Sequence, residues 1–472
     1  MLKINSLRAT ALFLLATIIV GITSCTSPSF YKKAYGFNKT IASGDFEAAE
    51  AFLEEHKDLE DSKVRFLYFV NAGMVEHLKG DFEKSNEYFE KADLFVEDER
   101  KDALEEGAAL LLNPNISTYH GEDHEVLLIN YYKALNYYLL GNTNDALVEV
   151  RRLNLRLQSL SEKYKDDTKY TQDAYMHVVM GLIYEANKDY NNAFIAYRNA
   201  HEIYQGEYST MFGISTPEQL KEDIIRTAAL SAMFTEKQQY EKEFDMKYTP
   251  SAHSGSMVMI WHNGMGPIKE EWGINFAIVY TGNGWVNFVS KEYGLSYPFY
   301  VGNTNLNGLT WVKVAFPKYV ERDMLINKAV LYNQDEKHEL QLAENINAIS
   351  FKVLDQRMGL EFSKALLRVA LKQAAAYKIG ESQDSPALGA ALSIAASATE
   401  NADTRNWQTL PHSIYYVRVP LEEGNHELNF KLQGVTGIQE EHEIEVSVQK
   451  GQTVIYPFYT LAASDPLAGQ VK

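Results

Sequence analysis

The residues best suited to chemistry lie in one short stretch, positions 261–272, called the first motif below. Its candidate residues are His262, Asn263, Gly264, Lys269, Glu270 and Glu271. Histidine and carboxylate side chains are the usual general acid–base groups, and an amide and a lysine can hold a polar ligand. Two glycines and a proline shape a tight loop, the kind of segment that often carries function. The first motif therefore predicts a ligand- or partner-binding loop, and the competing interpretation is a solvated strand connection.

A second group of capable side chains occupies positions 402–412, called the second motif. Its candidate residues are Asp403, Arg405, Trp407 and His412. Arg405 with Asp403 could clamp a polar ligand through two parallel hydrogen bonds. The pair could equally pin the end of a helix to the following sheet, and we favour that structural interpretation.

Established catalytic patterns are missing from the chain. It contains no Gly-x-Ser-x-Gly elbow, no phosphate-binding loop and no His-Glu-x-x-His. A hydrolase would have to assemble in space from His262 or His412, a distant serine, and Glu270 or Glu271. His120 and His124 flank two acids, but Gly121 and the Asn-Pro-Asn at 113–115 are typical of a loop. We therefore predict no metal site and no cofactor.

Cys25 is the only cysteine. A basic start and an apolar run at 11–21 precede it, so residues 1–24 predict a secretory signal peptide cut between Ser24 and Cys25. The sequence Ile-Thr-Ser-Cys resembles the bacterial lipobox, which implies an acylated Cys25. An uncleaved anchor, or a secreted protein with a free thiol, is the alternative. The residue directly after Cys25 is Thr26, whereas an aspartate at this position would retain a lipoprotein at the inner membrane. We therefore expect the protein at the outer membrane, facing the periplasm.

The charge balance narrows the class of partner. A net charge of -18 argues against nucleic acid and against a basic membrane-binding patch. We therefore expect membrane lipid to be contacted through the acylated Cys25.

The elements that must position these residues fall into two halves, which predicts an α+β fold. Residues 25–248 contain four helix-turn-helix joints, at 44–49, 80–85, 141–146 and 187–193, with a loop-forming residue and then an acid or amide before each second helix. They resemble the joint of a tetratricopeptide (TPR) repeat, which implies a TPR-like helical array with a concave docking surface. A further helix is predicted from Thr216 towards Phe244.

Residues 249–472 predict a β-rich domain. Short strand patterns occur at 257–261, 274–280, 285–290, 311–316 and 328–332, with a hairpin turn at 281–284. Helices near 346–400 predict an inserted helical hairpin. Four alternating strands within 412–462 predict a terminal antiparallel subdomain, or the completion of the sheet begun at Met257.

With both motifs in view, the chain resembles an uncharacterised family of bacterial tetratricopeptide lipoproteins that carry Trp-His-Asn-Gly-x-Gly-Pro-x-Lys-Glu-Glu and Ala-Asp-x-Arg-x-Trp-x-x-Leu-Pro. The resemblance implies fold and location, with no assigned activity. We expect a non-enzymatic scaffold that binds one or more periplasmic proteins, with cell-wall material as a further candidate ligand. The alternatives are a regulator of a peptidoglycan synthase and, from another class, an envelope glycan or peptide hydrolase.

Overall fold

The computed structural model of the protein describes residues 29–99, 115, 117–164, 169–249, 255–300, 310–382, 401–435, 437 and 439–466. Ser24, Cys25, the predicted signal peptide and the second helix of the predicted hairpin lie outside these residues. The described part is a mixed α+β structure with helices mostly in the first half and strands mostly in the second. The predicted fold class is confirmed at this level.

Twelve of the α-helices described precede the first strand. They are α1 Phe30–Lys33, α2 Tyr35–Ala42, α3 Phe46–Glu55, α4 Arg65–Lys79, α5 Phe82–Glu99, α6 Asp123–Leu139, α7 Thr143–Lys163, α8 Ala174–Ala186, α9 Tyr190–Gln205, α10 Glu207–Phe212, α11 Glu218–Leu230 and α12 Phe234–Glu243. Five pairs pack as helical hairpins: α2–α3, α4–α5, α6–α7, α8–α9 and α11–α12.

Each of the four predicted joints separates the two helices of a hairpin. Gly80 ends α4 in the left-handed conformation, with φ 85°, and Asp189 caps α9 by accepting a hydrogen bond from the amide of Asn192. The single helix predicted through Phe234 is wrong, because Ala232 has φ 57° and divides it into α11 and α12. An alanine carries no signal for a left-handed turn, so periodicity alone could not locate this break.

The strands form three four-stranded sheets. They are β1 Gly255–Asn263, β2 Ile268–Gly282, β3 Trp285–Ser290, β4 Leu295–Tyr300, β5 Trp311–Val320, β6 Ile326–Asn333, β7 Glu336–Glu339, β8 Gln341–Asn345, β9 Ser413–Leu421, β10 Gly424–Gly434, β11 Gln439–Val448 and β12 Thr453–Thr460. The central sheet has the order β12-β1-β9-β8, the covering sheet β11-β10-β6-β7 and the lateral sheet β4-β3-β2-β5. β1 and β12 run parallel, and the other pairings described are antiparallel.

The central sheet lies between the covering sheet and the helices. Met257, Met259 and Trp261 of β1 point into the core shared with the covering sheet, while Val258 and Ile260 join the helical core. The four strands within 412–462 do not share one sheet. β9 and β12 flank β1, whereas β10 and β11 belong to the covering sheet.

A long helix, α13 Ile346–Ser382, packs against the lateral sheet. Four residues of α13 pack against the inner side of this sheet: Phe362, Leu366, Val369 and Ala370. Within the described ranges, none of the helices has the length and apolarity needed to cross a membrane.

Candidate functional site

The first motif begins at the end of β1, on the side of the central sheet that faces the helices. His262 is completely buried, its Nε2 lies 2.6 Å from the hydroxyl of Tyr131 in α6, and its ring stacks on Tyr459. Burial lowers the pKa of His262 well below its ordinary value, so the imidazole is neutral at physiological pH. A base in this position has no contact with solvent.

The residues after His262 turn the chain towards β2. The Asn263 side-chain amide donates to the carbonyl of Ile326 over 2.8 Å, and its oxygen accepts from the hydroxyl of Thr460. Gly264 has φ 67°, and a Cβ there would lie 2.9 Å from the side chain of Met324. These two residues shape a tight internal turn.

The two motifs, more than 130 residues apart in sequence, form one structural unit. The amide of Gly266 donates to the carbonyl of Leu410 over 2.6 Å, and the Asn406 side chain donates to the carbonyl of Pro267 over 2.8 Å. The amide of Ala402 donates to the carboxylate of Glu271 over 2.9 Å. The amides, carbonyls and acids of one motif thus provide hydrogen-bond partners for the backbone groups of the other.

Lys269 joins this unit to the helices. Its ammonium lies 2.5 Å from Glu122, at the start of α6, and both residues are buried. Burial alone would raise the pKa of Glu122, but Arg357 and Lys269 outweigh it and hold that pKa at about 2. Burial, followed by the charge of Glu122, raises the pKa of neighbouring Glu125 to about 7. Glu125 nevertheless anchors the second motif, because it accepts a 2.7 Å hydrogen bond from the amide of Trp407.

Arg405 and Asp403 form a bidentate pair, with distances of 2.8 Å and 2.7 Å. The same guanidinium donates to the carbonyl of Ser117 over 2.8 Å and lies over the ring of Tyr119. Trp407 is buried beside this pair. Arg405 therefore holds the segment before α6 in place.

His412 is hydrogen-bonded between a serine and an acid, but the end of this series that faces solvent is the wrong one for catalysis. Its Nδ1 is 2.8 Å from the hydroxyl of Ser413 and its Nε2 is 2.9 Å from Glu321. The serine is buried, with 1% of its surface exposed, while the acid faces solvent with 51% of its side chain exposed. A nucleophilic serine must reach the substrate, and here the acid occupies the open end.

In each hairpin the first helix contacts the second half of the chain. We call the side of the array formed by these first helices the inner face. Five side chains on α2, α4, α6, α8 and α11 make these contacts: Asn38 with Gln408, Asn71 with Thr409, Tyr131 with His262, Glu185 with Arg418, and Gln219 with the amide of Arg418. We expected this concave surface to dock an external partner. In the structure the central sheet and the second motif contact this surface, and docking of an external partner there stays a prediction.

One buried group of ionic contacts on the inner face was not predicted from the sequence. Arg418 of β9 contacts Glu185 and Asp223, at 2.8 Å and 2.7 Å, and Arg226 contacts the same two acids. Burial alone would raise the pKa of Glu185, but Arg226 and Arg418 hold it at about 2. An arginine inside the apolar pattern of β9 was an available signal, since an unpaired charge there would be costly.

Both motifs reach solvent at one cavity of about 900 Å³, which we call the N-terminal cavity. The motifs contribute Glu270, Glu271, Thr404 and Arg405, while α1–α4 contribute an apolar wall that includes Phe37, Phe52 and Leu53, with Lys32, Lys33, His56 and Lys63 among the polar lining. The Ser29 hydroxyl donates to Glu270 over 2.6 Å, and the amide of Phe30 donates to Thr404 over 2.9 Å. The arrangement can hold an extended ligand with apolar and polar parts, and no residue of the apolar wall was singled out from sequence.

The histidines considered for a metal site are used in packing. His124 lies 3.0 Å from Ser350 and His120 stacks on Phe95. In the part of the chain that the structure describes, no group of three or more His, Cys, Asp or Glu side chains could hold a metal ion.

No protein-family model matches the chain, and no curated protein matches it significantly.

Proposed function

We propose that this protein is a lipid-anchored binding scaffold of the bacterial envelope, tethered to the outer membrane through an acylated Cys25 and facing the periplasm. The observation that carries the proposal is that both chemically capable motifs are used to join the array to the central sheet, while Glu270, Glu271, Thr404 and Arg405 line the N-terminal cavity. His262 has no solvent contact, and the line through His412 ends in a buried serine. These positions suit a binding protein better than a hydrolase.

We propose that the array is TPR-like, and the internal spacing of α4–α5 supports this. Counted from Gly73 in α4, the joint glycine, a small residue, an aromatic and an alanine follow after 7, 12, 16 and 19 residues. The same offsets from Gly181 give Lys188, Ala193, Tyr197 and Ala200, and from Ala134 they give Gly141, Ala146, Val150 and Leu153. At the offsets of 12, 16 and 19 all nine residues are fully buried. Three hairpins therefore repeat one packing pattern.

The partner site that we propose is the N-terminal cavity, because the inner face is occupied. Its apolar wall and its lysine- and glutamate-containing rim suit an extended segment of a periplasmic protein. A more specific version of the same proposal is that the protein regulates a peptidoglycan synthase or another envelope assembly.

Site-specific photocrosslinking in cells tests this partner site. A photoreactive residue at Lys33, exposed at the cavity, should give one defined protein adduct, whereas the same group at Leu155, 60% exposed on α7, should not. Phe52→Glu should abolish the adduct without releasing the protein from the membrane. The same adduct at both positions, or no adduct, would count against the partner site.

The anchor has a separate test. Cys25→Ala should block acylation and move the protein out of the membrane fraction. Unchanged fractionation of that variant would refute the lipoprotein proposal.

A further inference from the structure

The lateral sheet has one side packed on α13 and one side open to solvent, which we call the outer sheet face. Alternate residues of β2, β3 and β5 point inward to α13. The residues between them point outward and include Trp285, Tyr300 and Trp311, whose surfaces are 46%, 59% and 61% exposed. Val279 lies among them and is 46% exposed. An apolar surface of this kind usually marks an interaction site.

The outer sheet face is also almost uncharged. Positions 272–282, 285–290 and 295–300 contain no Asp, Glu, Lys or Arg, although 23% of the chain is charged. Lys313 of β5 lies on this side and is paired over 3.8 Å with Glu271, near the start of β2. Asn275, Asn287 and Ser296 supply neutral hydrogen-bonding groups between the aromatic rings.

The aromatic side chains are spread across the sheet. Trp285 and Tyr300 are opposite each other on β3 and β4, with ring centroids 5.2 Å apart. Trp311 on β5 is opposite Ala277 of β2, whereas Trp285 is opposite Gly282 of the same strand. Five residues along β2 and two strand spacings place the two tryptophans roughly 19 Å apart. That separation suits an elongated ligand rather than a single small molecule.

We propose that the outer sheet face binds an uncharged glycan strand. Sugar rings present C–H groups on their faces and hydroxyls at their edges, which match exposed aromatic rings with amide and hydroxyl groups between them. A negatively charged ligand would meet one lysine here, which is already paired with Glu271, and a bilayer would have to cover the two asparagines. The choice of a cell-wall glycan rests on the proposed location in the envelope, although the binding chemistry does not depend on the anchor.

A binding assay with soluble full-length protein tests the proposal. The Cys25→Ala protein is mixed with purified peptidoglycan sacculi and sedimented, and is titrated with chitohexaose while tryptophan fluorescence is followed. Trp311→Ala and Trp285→Ala should each weaken binding about tenfold, the loss of one favourable stacking contact. Phe234→Ala is the matched control, because this aromatic is 64% exposed on α12. Ala277→Lys places a charge between the rings, so it tests the face without removing an aromatic side chain.

The outcomes separate the possible occupants of the face. Loss of binding in the three face variants, with an unchanged control and unchanged melting temperatures, supports glycan binding. Absence of binding to both probes, or binding that the three substitutions leave intact, overturns it. If the substitutions instead abolish flotation with phospholipid vesicles, or dimers detected by sedimentation, the face belongs to a bilayer or to a second copy. Cys25 fractionation and crosslinking at Lys33 can fail independently of this result.

Discussion

Replacing Arg418 by methionine tests whether the buried ionic contacts hold the array to the central sheet. Arg418 is 5% exposed at its side chain, and its partners Glu185 and Asp223 are 2% and 0% exposed. Removing one member of a buried ion pair typically costs about 3–5 kcal/mol, because the remaining charge stays buried without compensation. Here Arg226 still faces both acids, so we expect the lower end of that range.

The pKa of Glu185 gives a second route to the magnitude. It falls from 4.5 to about 2 in the folded protein, and at about 1.36 kcal/mol per unit this corresponds to roughly 3 kcal/mol of stability, shared between Arg226 and Arg418. A carboxyl with a lowered folded pKa contributes stability above its unfolded pKa and loses it as the pH falls towards the folded pKa. The deficit of Arg418→Met should therefore be largest near pH 7.5 and should shrink below pH 4.5.

Urea unfolding followed by circular dichroism, repeated from pH 8 to pH 3, measures both the size and the pH dependence. Lys431→Met is the matched control, since its 2.8 Å pair with Glu441 is exposed and should matter little. A deficit as small as that of the control, or one that does not change with pH, would show that these ions do not hold the two halves together.

Two further predictions concern packing and a buried acid pair. Gly181→Ala should destabilise the protein by about 1–3 kcal/mol in thermal unfolding, because its Cβ would lie 2.3 Å from the Tyr197 ring. Gly359→Ala in α13 is the control, since its Cβ would have nothing within 4 Å, and it should be neutral or stabilising. Equal effects of the two substitutions would contradict the repeat packing. Burial, and then the charge of Asp173, raises the pKa of Glu344 well above its ordinary value, so folding takes up a proton and stability falls as the pH rises above 4.5. Glu344→Gln should flatten this decline in melting temperature between pH 5 and pH 8, and an unchanged slope would refute the assignment.

Local patterns in the sequence predicted the individual elements well. The alternation of β3 gave bounds that match the structure at 285–290, and the four joints divided the helices correctly. Period-2 and period-3.6 patterns report which side of an element is buried, which is a local property. The left-handed Ala232 was missed because alanine there follows no turn preference.

What the two motifs do could not be predicted in the same way, because it depends on residues far away in the chain. Lys269 is paired with Glu122, 147 residues earlier, and His262 with Tyr131, 131 residues earlier. Histidine, lysine and acids in a glycine-containing loop are as suitable for satisfying buried backbone and charges as for catalysis. Composition alone cannot distinguish the two uses, whereas burial can.

The position of Ser29, the first residue that the structure describes, relates the proposed anchor to the two proposed sites. Ser29 is held by Glu270 at the beginning of β2, and this contact lies at the N-terminal cavity. Ser29 is four positions after Cys25, so a lipid attached to Cys25 would lie within about 14 Å of the cavity. Ala277, at the level of Trp311, is seven residues further along β2, or roughly 24 Å. With the proposed acylation of Cys25, the partner cavity would lie close to the membrane and the outer sheet face further along β2, an arrangement that we propose would connect a membrane-associated partner with the cell wall.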